Sequence, residues 1–331
     1  MDSSRPADFW ELSDLSTPWA IHVVATLDVA GQIRAGRSKL ADLAAATFTD
    51  PYMLGCTMRL LVSKGVFHEP QRDEFALNDA AMPLLDPGVL LGLDLRSLGG
   101  RMAHAWGTLL TLVLTGEPGY QERFGRPFWD DLAAHPEIAA DFDRLIGPDG
   151  HGTPDPNILP DGDWSGVRTI VDVGGGTGAL LTEILLAHPE ITGTLVELPA
   201  TAERAQTRFA DAGLSERARA IGQSFFEPLP AGADLYILKS ILNDWPDRET
   251  RQILSRCAEA SLPNGRIAVI GGVTPDDQPS RLSIEMVLIG GKTRTLSEFE
   301  NLAVELGLGV QQTGRTGSGS YVVVCDHMQG R

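Results

Sequence analysis

The chain has 331 residues, 43% of them hydrophobic and 21% charged, room for about two domains of ordinary globular composition, which excludes disordered, collagenous and low-complexity readings. Its 27 Lys and Arg against 44 Asp and Glu give a net charge of −17, which repels a phosphate backbone and disfavours bulk nucleic-acid binding. No apolar run approaches the ~18 residues of a membrane span, the first residues lack the apolar core of a signal peptide, and three widely spaced cysteines make neither a disulfide framework nor a zinc spacing, so a reduced, cytoplasmic protein is expected.

Residues 1–90 are expected to form a small, mainly helical domain of winged-helix pattern. Apolar residues recur at helical spacing in Trp19–Leu27, and a second helix covers Lys39–Ala46. Asp50-Pro51 supplies an N-cap with Pro at the first helical position of Tyr52–Ser63, which stops at Gly65. Val66–His68 and Phe75–Leu77 read as two short strands around a polar turn. Seven Lys and Arg against twelve Asp and Glu in this part leave no basic recognition helix, so it reads as a dimerisation module and not as a DNA reader. Trp19, Ile21, Val24 and Leu27 make an apolar stripe near the terminus, which points to a homodimer through this domain.

Residues 91–160 read as a helical linker and substrate cap, with helices expected over Leu98–Leu114 and Glu137–Ile146 and a Pro- and Gly-rich linker after them. From about residue 161 to 331 the pattern changes to strand–helix alternation. Strands are expected at Thr169–Val173, Gly193–Leu198, Ala218–Gly222, Asp234–Lys239 and Arg266–Ile270, followed by a hairpin of Val310–Arg315 and Ser320–Cys325. The fold class is therefore α/β: a doubly wound, Rossmann-like sheet with an antiparallel edge, its ligand crevice at the carboxyl ends of the first strands.

The most specific stretch is Val171-Asp172-Val173-Gly174-Gly175-Gly176-Thr177-Gly178, where glycines between a strand and a helix let the backbone approach a ligand. Glu197 follows nineteen residues after Gly178 at the end of the second strand, where a carboxylate can take both ribose hydroxyls. Gly174, Gly176 and Ala179 also satisfy the dinucleotide pattern G-x-G-x-x-A, so the glycines alone leave two cofactor classes open. Further on stand Gly222-Gln223-Ser224-Phe225-Phe226-Glu227-Pro228-Leu229-Pro230, then Leu238-Lys239-Ser240-Ile241-Leu242-Asn243-Asp244-Trp245-Pro246-Asp247, and Gly290-Gly291-Lys292-Thr293-Arg294-Thr295. With these segments the chain resembles, over almost its whole length, the S-adenosylmethionine-dependent small-molecule O-methyltransferases, especially their bacterial antibiotic-tailoring branch.

The resemblance implies S-adenosylmethionine as cofactor and its demethylated form, S-adenosylhomocysteine, as product. It places Gly174, Gly176 and Gly178 beside the methionyl end and Glu197 on the ribose. Leu198 and Phe225 sandwich the adenine, Ser224 stands where the family has Asp, and Lys239 and Trp245 lie near the cofactor. Gly176 equally suits close helix–sheet packing, Trp245 plain core and Lys239 a solvated charge. The family's base is a histidine in a His-Asp-Trp segment; here that position is Asn243, followed by Asp244 and Trp245. The acid that orients the histidine corresponds to Gly271, and a further acid to Thr293. An amide has no usable titration near neutral pH, so Asn243 cannot act as a general base.

Methyl transfer is then expected to run on orientation, with Asn243 and Asp244 as the catalytic residues, unless the base has moved. Candidates for a moved base are Asp244, Glu285, His104 and His151, each of which also has an ordinary structural role open to it. The acceptor pocket is expected between the helical cap and the sheet edge, lined by Trp106, Phe142, Ile146, Asn243 and Met286, an apolar and aromatic set that suits a flat ring system or a hydrophobic acid. No spacing suggests a metal site. The alternative is a relative that holds S-adenosylmethionine without transferring its methyl group and catalyses hydroxylation, decarboxylation or cyclisation.

Overall fold

The computed structural model describes residues 8–146, 154–278 and 284–328. These fall into two compact units, divided between His104 and Ala105.

The N-terminal unit carries α1 (Phe9–Leu12), α2 (Ser16–Thr26), α3 (Val29–Arg34), α4 (Leu40–Thr47), α5 (Pro51–Ser63), a hairpin of β1 (His68–Gln71) and β2 (Glu74–Ala76), and α6 (Pro87–Leu93). Asp50 caps α5, accepting from the Met53 amide at 2.9 Å, with Pro51 in the first turn. The first strand of the hairpin lies later than the sequence pattern suggests, and the second begins one residue earlier. Asn78 explains the shift: its Oδ1 accepts from the Phe67 amide and its Nδ2 donates to the carbonyls of Gly65 and Phe67, which takes residues 65–67 out of the ladder.

A second expectation needs correcting here. Of the stripe Trp19, Ile21, Val24 and Leu27, all but Trp19 are covered. Val24 is buried with Leu43, Met58, Leu61, Phe67 and Phe75 in this unit's own core, and Ile21 and Leu27 pack on that core. The apolar side chains that stay exposed lie on both sides of the stripe in the chain: Phe9, Trp10, Leu12 and Leu15 are each about 70–80% exposed, Phe48, Tyr52 and Met53 are exposed as well, and Trp19 within it is about 37% exposed.

The chain continues through α7 (Leu98–Ala105), a 3₁₀ turn at Trp106–Thr108, α8 (Leu109–Thr115), α9 (Tyr120–Phe124), α10 (Phe128–Ala134) and α11 (Pro136–Ile146). One long helix over Leu98–Leu114 is therefore broken into three pieces. At the break the Thr108 hydroxyl donates to the Ala105 carbonyl at 2.7 Å, competing with the helical ladder.

The C-terminal unit holds β3 (Thr169–Val173), α12 (Ala179–Ala187), β4 (Thr192–Glu197), α13 (Pro199–Asp211), β5 (Ala218–Gly222), β6 (Leu235–Lys239), α14 (Asp247–Ala260), β7 (Arg266–Ile270), β8 (Val273–Thr274), α15 (Ile284–Leu288), β9 (Arg294–Thr295), α16 (Leu296–Glu305), β10 (Leu308–Arg315) and β11 (Tyr321–His327). Seven strands form one sheet in the order β10-β11-β7-β6-β3-β4-β5. The five from β3 to β7 run parallel, while β10 and β11 make the antiparallel edge. The central strands are apolar on both faces because both are covered. On β6, Leu235 and Ile237 enter one core with Ile184 and Phe209, while Tyr236 and Leu238 enter the other with Ile253 and Phe299. On α14 the buried positions Thr250, Ile253, Leu254, Cys257 and Ala258 follow the helical period, which seats it on the sheet. Strand order reverses at β3, whose neighbours are β4 and β6, so a crevice opens at the carboxyl ends of these strands.

Among the described residues no helix is long and apolar enough to cross a membrane, and no cluster of His, Cys, Asp or Glu could hold a metal ion.

Candidate active site

A cavity of about 250 Å³ lies at that crevice. Four loops of the sheet build it: the β3–α12 turn, the end of β4, the segment after β5, and the segment after β6; α10 and α11 supply a further wall. The β3–α12 turn adopts left-handed backbone at Gly174 (φ +70°) and Gly176 (φ +59°), conformations that side chains with a Cβ rarely take. A Cβ at Gly174 would come within 2.5 Å of Ile241, so the backbone here is pressed close to the β6 loop.

Of the residues singled out from the sequence, Gly174, Gly176, Glu197, Leu198, Ser224, Phe225, Lys239, Asp244, Trp245 and Phe142 line this one cavity. Gly178 does not. It caps α12 in left-handed conformation, and a Cβ there would lie 2.7 Å from the Phe209 ring of α13, so close packing between the two helices also calls for a glycine here. Trp106 is 42% exposed and, like Asn243 and Met286, stands outside the lining. The Ile146 side chain and His151 lie outside the described residues. Glu285 is exposed, and His104 belongs to the N-terminal unit, its ring 5.1 Å from that of Trp19.

The electrostatics centre on three carboxyls. Asp172, on β3, is 1% exposed and neither of its oxygens has a hydrogen-bond partner. Burial, and more weakly the nearby Glu197, raise its pKa to about 7, against the opposing pull of Lys239. The Lys239 ammonium is itself pushed down by burial, with Asp172 acting the other way. Glu197 is raised by burial although its carboxylate accepts from the amides of Leu198 at 2.7 Å and Gly176 at 3.1 Å. Asp244 is raised by burial to about 8, and its Oδ1 accepts from the Asn243 side-chain amide at 2.7 Å.

Aromatic rings tie the wall of α10 and α11 to the β6 loop. Trp129 stacks on Trp245 with centroids 5.9 Å apart, its other neighbour Phe142 meets it edge-on at 5.4 Å, and Trp245 meets Phe225 and Phe226 edge-on. The Trp129 indole N–H is buried without a partner. Trp129 was not a sequence candidate, since nothing in Pro127-Phe128-Trp129 signals that α10 folds back over the crevice. Asp172 carried a readable signal that went unused as a site assignment: a charge inside an otherwise apolar strand.

A glycine turn at a topological switch point, an acid closing the next strand and a cavity joining polar carboxyls to stacked aromatics define a small-molecule enzyme of Rossmann-like fold. The O-methyltransferase domain family matches residues 106–309, and the chain belongs to this family. The 2,7-dihydroxy-5-methyl-1-naphthoate 7-O-methyltransferase of Streptomyces carzinostaticus is 39% identical over 91% of this chain and 92% of its own length. Aclacinomycin 10-hydroxylase RdmB of Streptomyces purpurascens is 37% identical over 93% of this chain and 85% of its own. The crystal structure of an O-methyltransferase from neocarzinostatin biosynthesis, in complex with S-adenosylmethionine and 2-hydroxy-5-methyl naphthoic acid, superimposes with a TM-score of 0.82 at 35% identity, covering 98% of this chain and all of that one.

Proposed function

We propose that this protein is an S-adenosylmethionine-dependent methyltransferase that methylates a small aromatic secondary metabolite and works by orienting its acceptor without a histidine base. The observation that carries the reading is the buried, unpartnered carboxyl of Asp172 at the glycine turn. An orphaned carboxyl in such a place is costly unless a cationic ligand group meets it, and the cofactor's amino group is one. Glu197 suits the ribose hydroxyls, Leu198 and Phe225 offer apolar faces for the adenine, and Ser224 and Lys239 stand at the same cavity. When bound there, S-adenosylmethionine supplies an electrophilic methyl group on a sulfonium. The α10–α11 wall, with Trp129 and Phe142 facing the cavity, supports residues 91–160 as a substrate cap and an acceptor with a flat ring. The naphthoic acid in the related crystal structure supports the same class.

Asn243, Gly271 and Thr293 leave the family's three polar catalytic positions without an acid or base. A positioned base contributes about 10²–10⁴-fold, while orientation of reacting groups reaches effective molarities of about 10⁵–10⁸ M, so an acceptor that arrives ionised needs no base. Asn243 acts in this scheme through Asp244, which it holds at the cavity wall. The 37% identical hydroxylase favours a second reading, in which the cofactor is bound but its methyl group is kept.

Turnover with a methyl-labelled cofactor, followed by mass spectrometry, separates the two. Label in the product is expected, and an unlabelled product would replace the first reading with the second. In the same assay Asn243→Ala should slow turnover about 5- to 100-fold, the range of a lost buried hydrogen bond. Asn243→His should bring no gain of the size a base supplies, and the pH–rate profile should lack a limb near pH ~6.5. A roughly hundredfold faster Asn243→His enzyme would show that the acceptor does present a proton to be removed.

The exposed apolar side chains of Phe9, Trp10, Leu12 and Leu15 support a homodimer through the N-terminal unit. Light scattering at micromolar concentration should give twice the chain mass, with a shift toward the single-chain mass in Trp10→Glu; a wild-type protein of single-chain mass would overturn the dimer. Three free cysteines, two of them buried, support a reducing, cytoplasmic setting. Immunolocalisation or fractionation of the native host should find the protein with cytoplasmic markers, and export would refute it.

A further inference from the structure

Arg294 lies in the segment Gly290–Thr295, and arginine side chains are ordinarily exposed. It is instead 1% exposed, although a buried guanidinium is costly to desolvate. All three of its nitrogens donate. Nη1 donates to the Leu242 carbonyl at 2.8 Å and to that of Lys292 at 3.1 Å; Nη2 donates to the Trp245 carbonyl at 2.8 Å; Nε donates to Asp247 at 2.9 Å. Asp247, the first residue of α14, also takes the Lys292 ammonium at 2.8 Å.

We infer that Arg294 is a positioning residue for the reaction, a clamp that fixes the turn carrying Asn243, Asp244 and Trp245 relative to the cavity. This rests on the proposed function, in which that turn serves the acceptor. The turn is a single 3₁₀ turn, Leu242–Asp244, between β6 and α14; α14 reaches its flank through the Thr250 hydroxyl, which donates to the Trp245 carbonyl at 3.3 Å, and three carbonyls here face residues 292–294. The 292–294 segment takes them up: Leu242 and Trp245 through the guanidinium, and Asn243 through the Lys292 amide at 2.9 Å. The clamp's own backbone is anchored, because β9 pairs with β8 and the Arg294 amide donates to the Gly272 carbonyl at 3.0 Å. Two glycines close on Asn243 as well. A Cβ at Gly272 would lie 2.9 Å from the Asn243 amide nitrogen, and one at Gly291 would lie 2.7 Å from its carbonyl oxygen. Only a planar fork spans two carbonyls and a carboxylate at once; a lysine ammonium in its place is a single point of attachment.

The test uses the full chain with Arg294→Lys, which keeps the charge and loses the fork, and Arg59→Ala as a control that breaks surface ion pairs with Glu69 and Asp73 in the N-terminal unit. Two readouts are taken. In the unliganded protein, hydrogen exchange at residues 241–246 should become at least about tenfold faster in Arg294→Lys, while β3 and β10 keep their protection. In methyl transfer, kcat should fall between about tenfold and a hundredfold, the loss a displacement of about 1 Å causes, while the cofactor dissociation constant changes less. Asp247→Asn, which leaves the guanidinium in place without its charge partner, should give a smaller change of the same sign in both and serves if Arg294→Lys fails to fold. Arg59→Ala should change neither. Unaltered exchange at 241–246 overturns the clamp whatever the reaction is. Faster exchange with unchanged kcat overturns its role in the reaction. If the parent protein transfers no methyl group, the proposed function fails, and the exchange result still decides the clamp.

Discussion

Replacing Asp172 with Asn is expected to weaken binding of S-adenosylmethionine between about tenfold and a hundredfold, the range of a charge-assisted hydrogen bond inside a cavity. The same change should make the unliganded protein more resistant to heat at pH 8. Both effects have one cause. The Asp172 carboxyl is buried and both its oxygens lack partners, so its ionised form is held at a cost that Lys239 offsets only in part and a cationic ligand offsets further. Isothermal titration with S-adenosylmethionine and with its demethylated product, which keeps the amino group, should show parallel losses. Thermal unfolding without ligand supplies the second arm. Affinity within about threefold of the parent for both ligands, well below the loss of one charged hydrogen bond, would remove Asp172 from the cofactor site. A lower melting temperature in the variant would show that the carboxyl supports the fold instead of the ligand.

The second large effect concerns pH. Burial raises Asp172 to about 7 and Asp244 to about 8, from an ordinary value near 3.8 in the unfolded chain. For a carboxyl whose folded-state pKa lies above its unfolded value, the folded state binds the proton more tightly. The stabilisation this gives is fully present below the unfolded pKa and is lost as pH rises through the folded one. The unliganded protein should therefore lose stability steadily between about pH 4 and pH 8. Each unit of difference corresponds to about 1.4 kcal/mol, so the two groups together make a fall of order 5 °C or more in the melting temperature. Scanning calorimetry from pH 5 to 9 measures it, and the double variant Asp172→Asn, Asp244→Asn should flatten the slope. A melting temperature that rises over this interval in the parent, or a double variant with the parent's slope, would be incompatible with two buried protonated carboxyls. Saturating S-adenosylmethionine should reduce the slope in the parent, since pairing with its amino group favours ionised Asp172.

Much of the C-terminal unit was legible before any coordinates. An apolar strand running into Gly174–Gly178, and an acid closing the next strand at Glu197, are local signatures of a turn that needs left-handed backbone and close approach. Alternating strand and helix periods likewise determined a parallel sheet, because a strand buried on both faces and a helix buried on one leave different patterns in the chain. The substitution of Asn243 for the family's histidine was equally plain, being a matter of residue identity.

What the sequence left open depends on side-chain direction. Val24 was assigned to an outward stripe and lies in the N-terminal core, since an apolar helix face does not say which surface covers it. Gly178 also faces Phe209, a residue thirty-one positions away, whose ring leaves no room for a Cβ. Trp129 reaches the cavity only because α10 folds back over the crevice, and Arg294 is buried only because β9 sets it beside the carbonyls of a turn about fifty residues earlier. Local propensity and spacing are properties of neighbours along the chain, whereas burial, orphaned polar atoms and the reach of a long side chain are properties of neighbours in space. The glycine turn was therefore readable in the sequence, while the aromatic wall, the buried carboxyls and the burial of Arg294 were decided by packing alone.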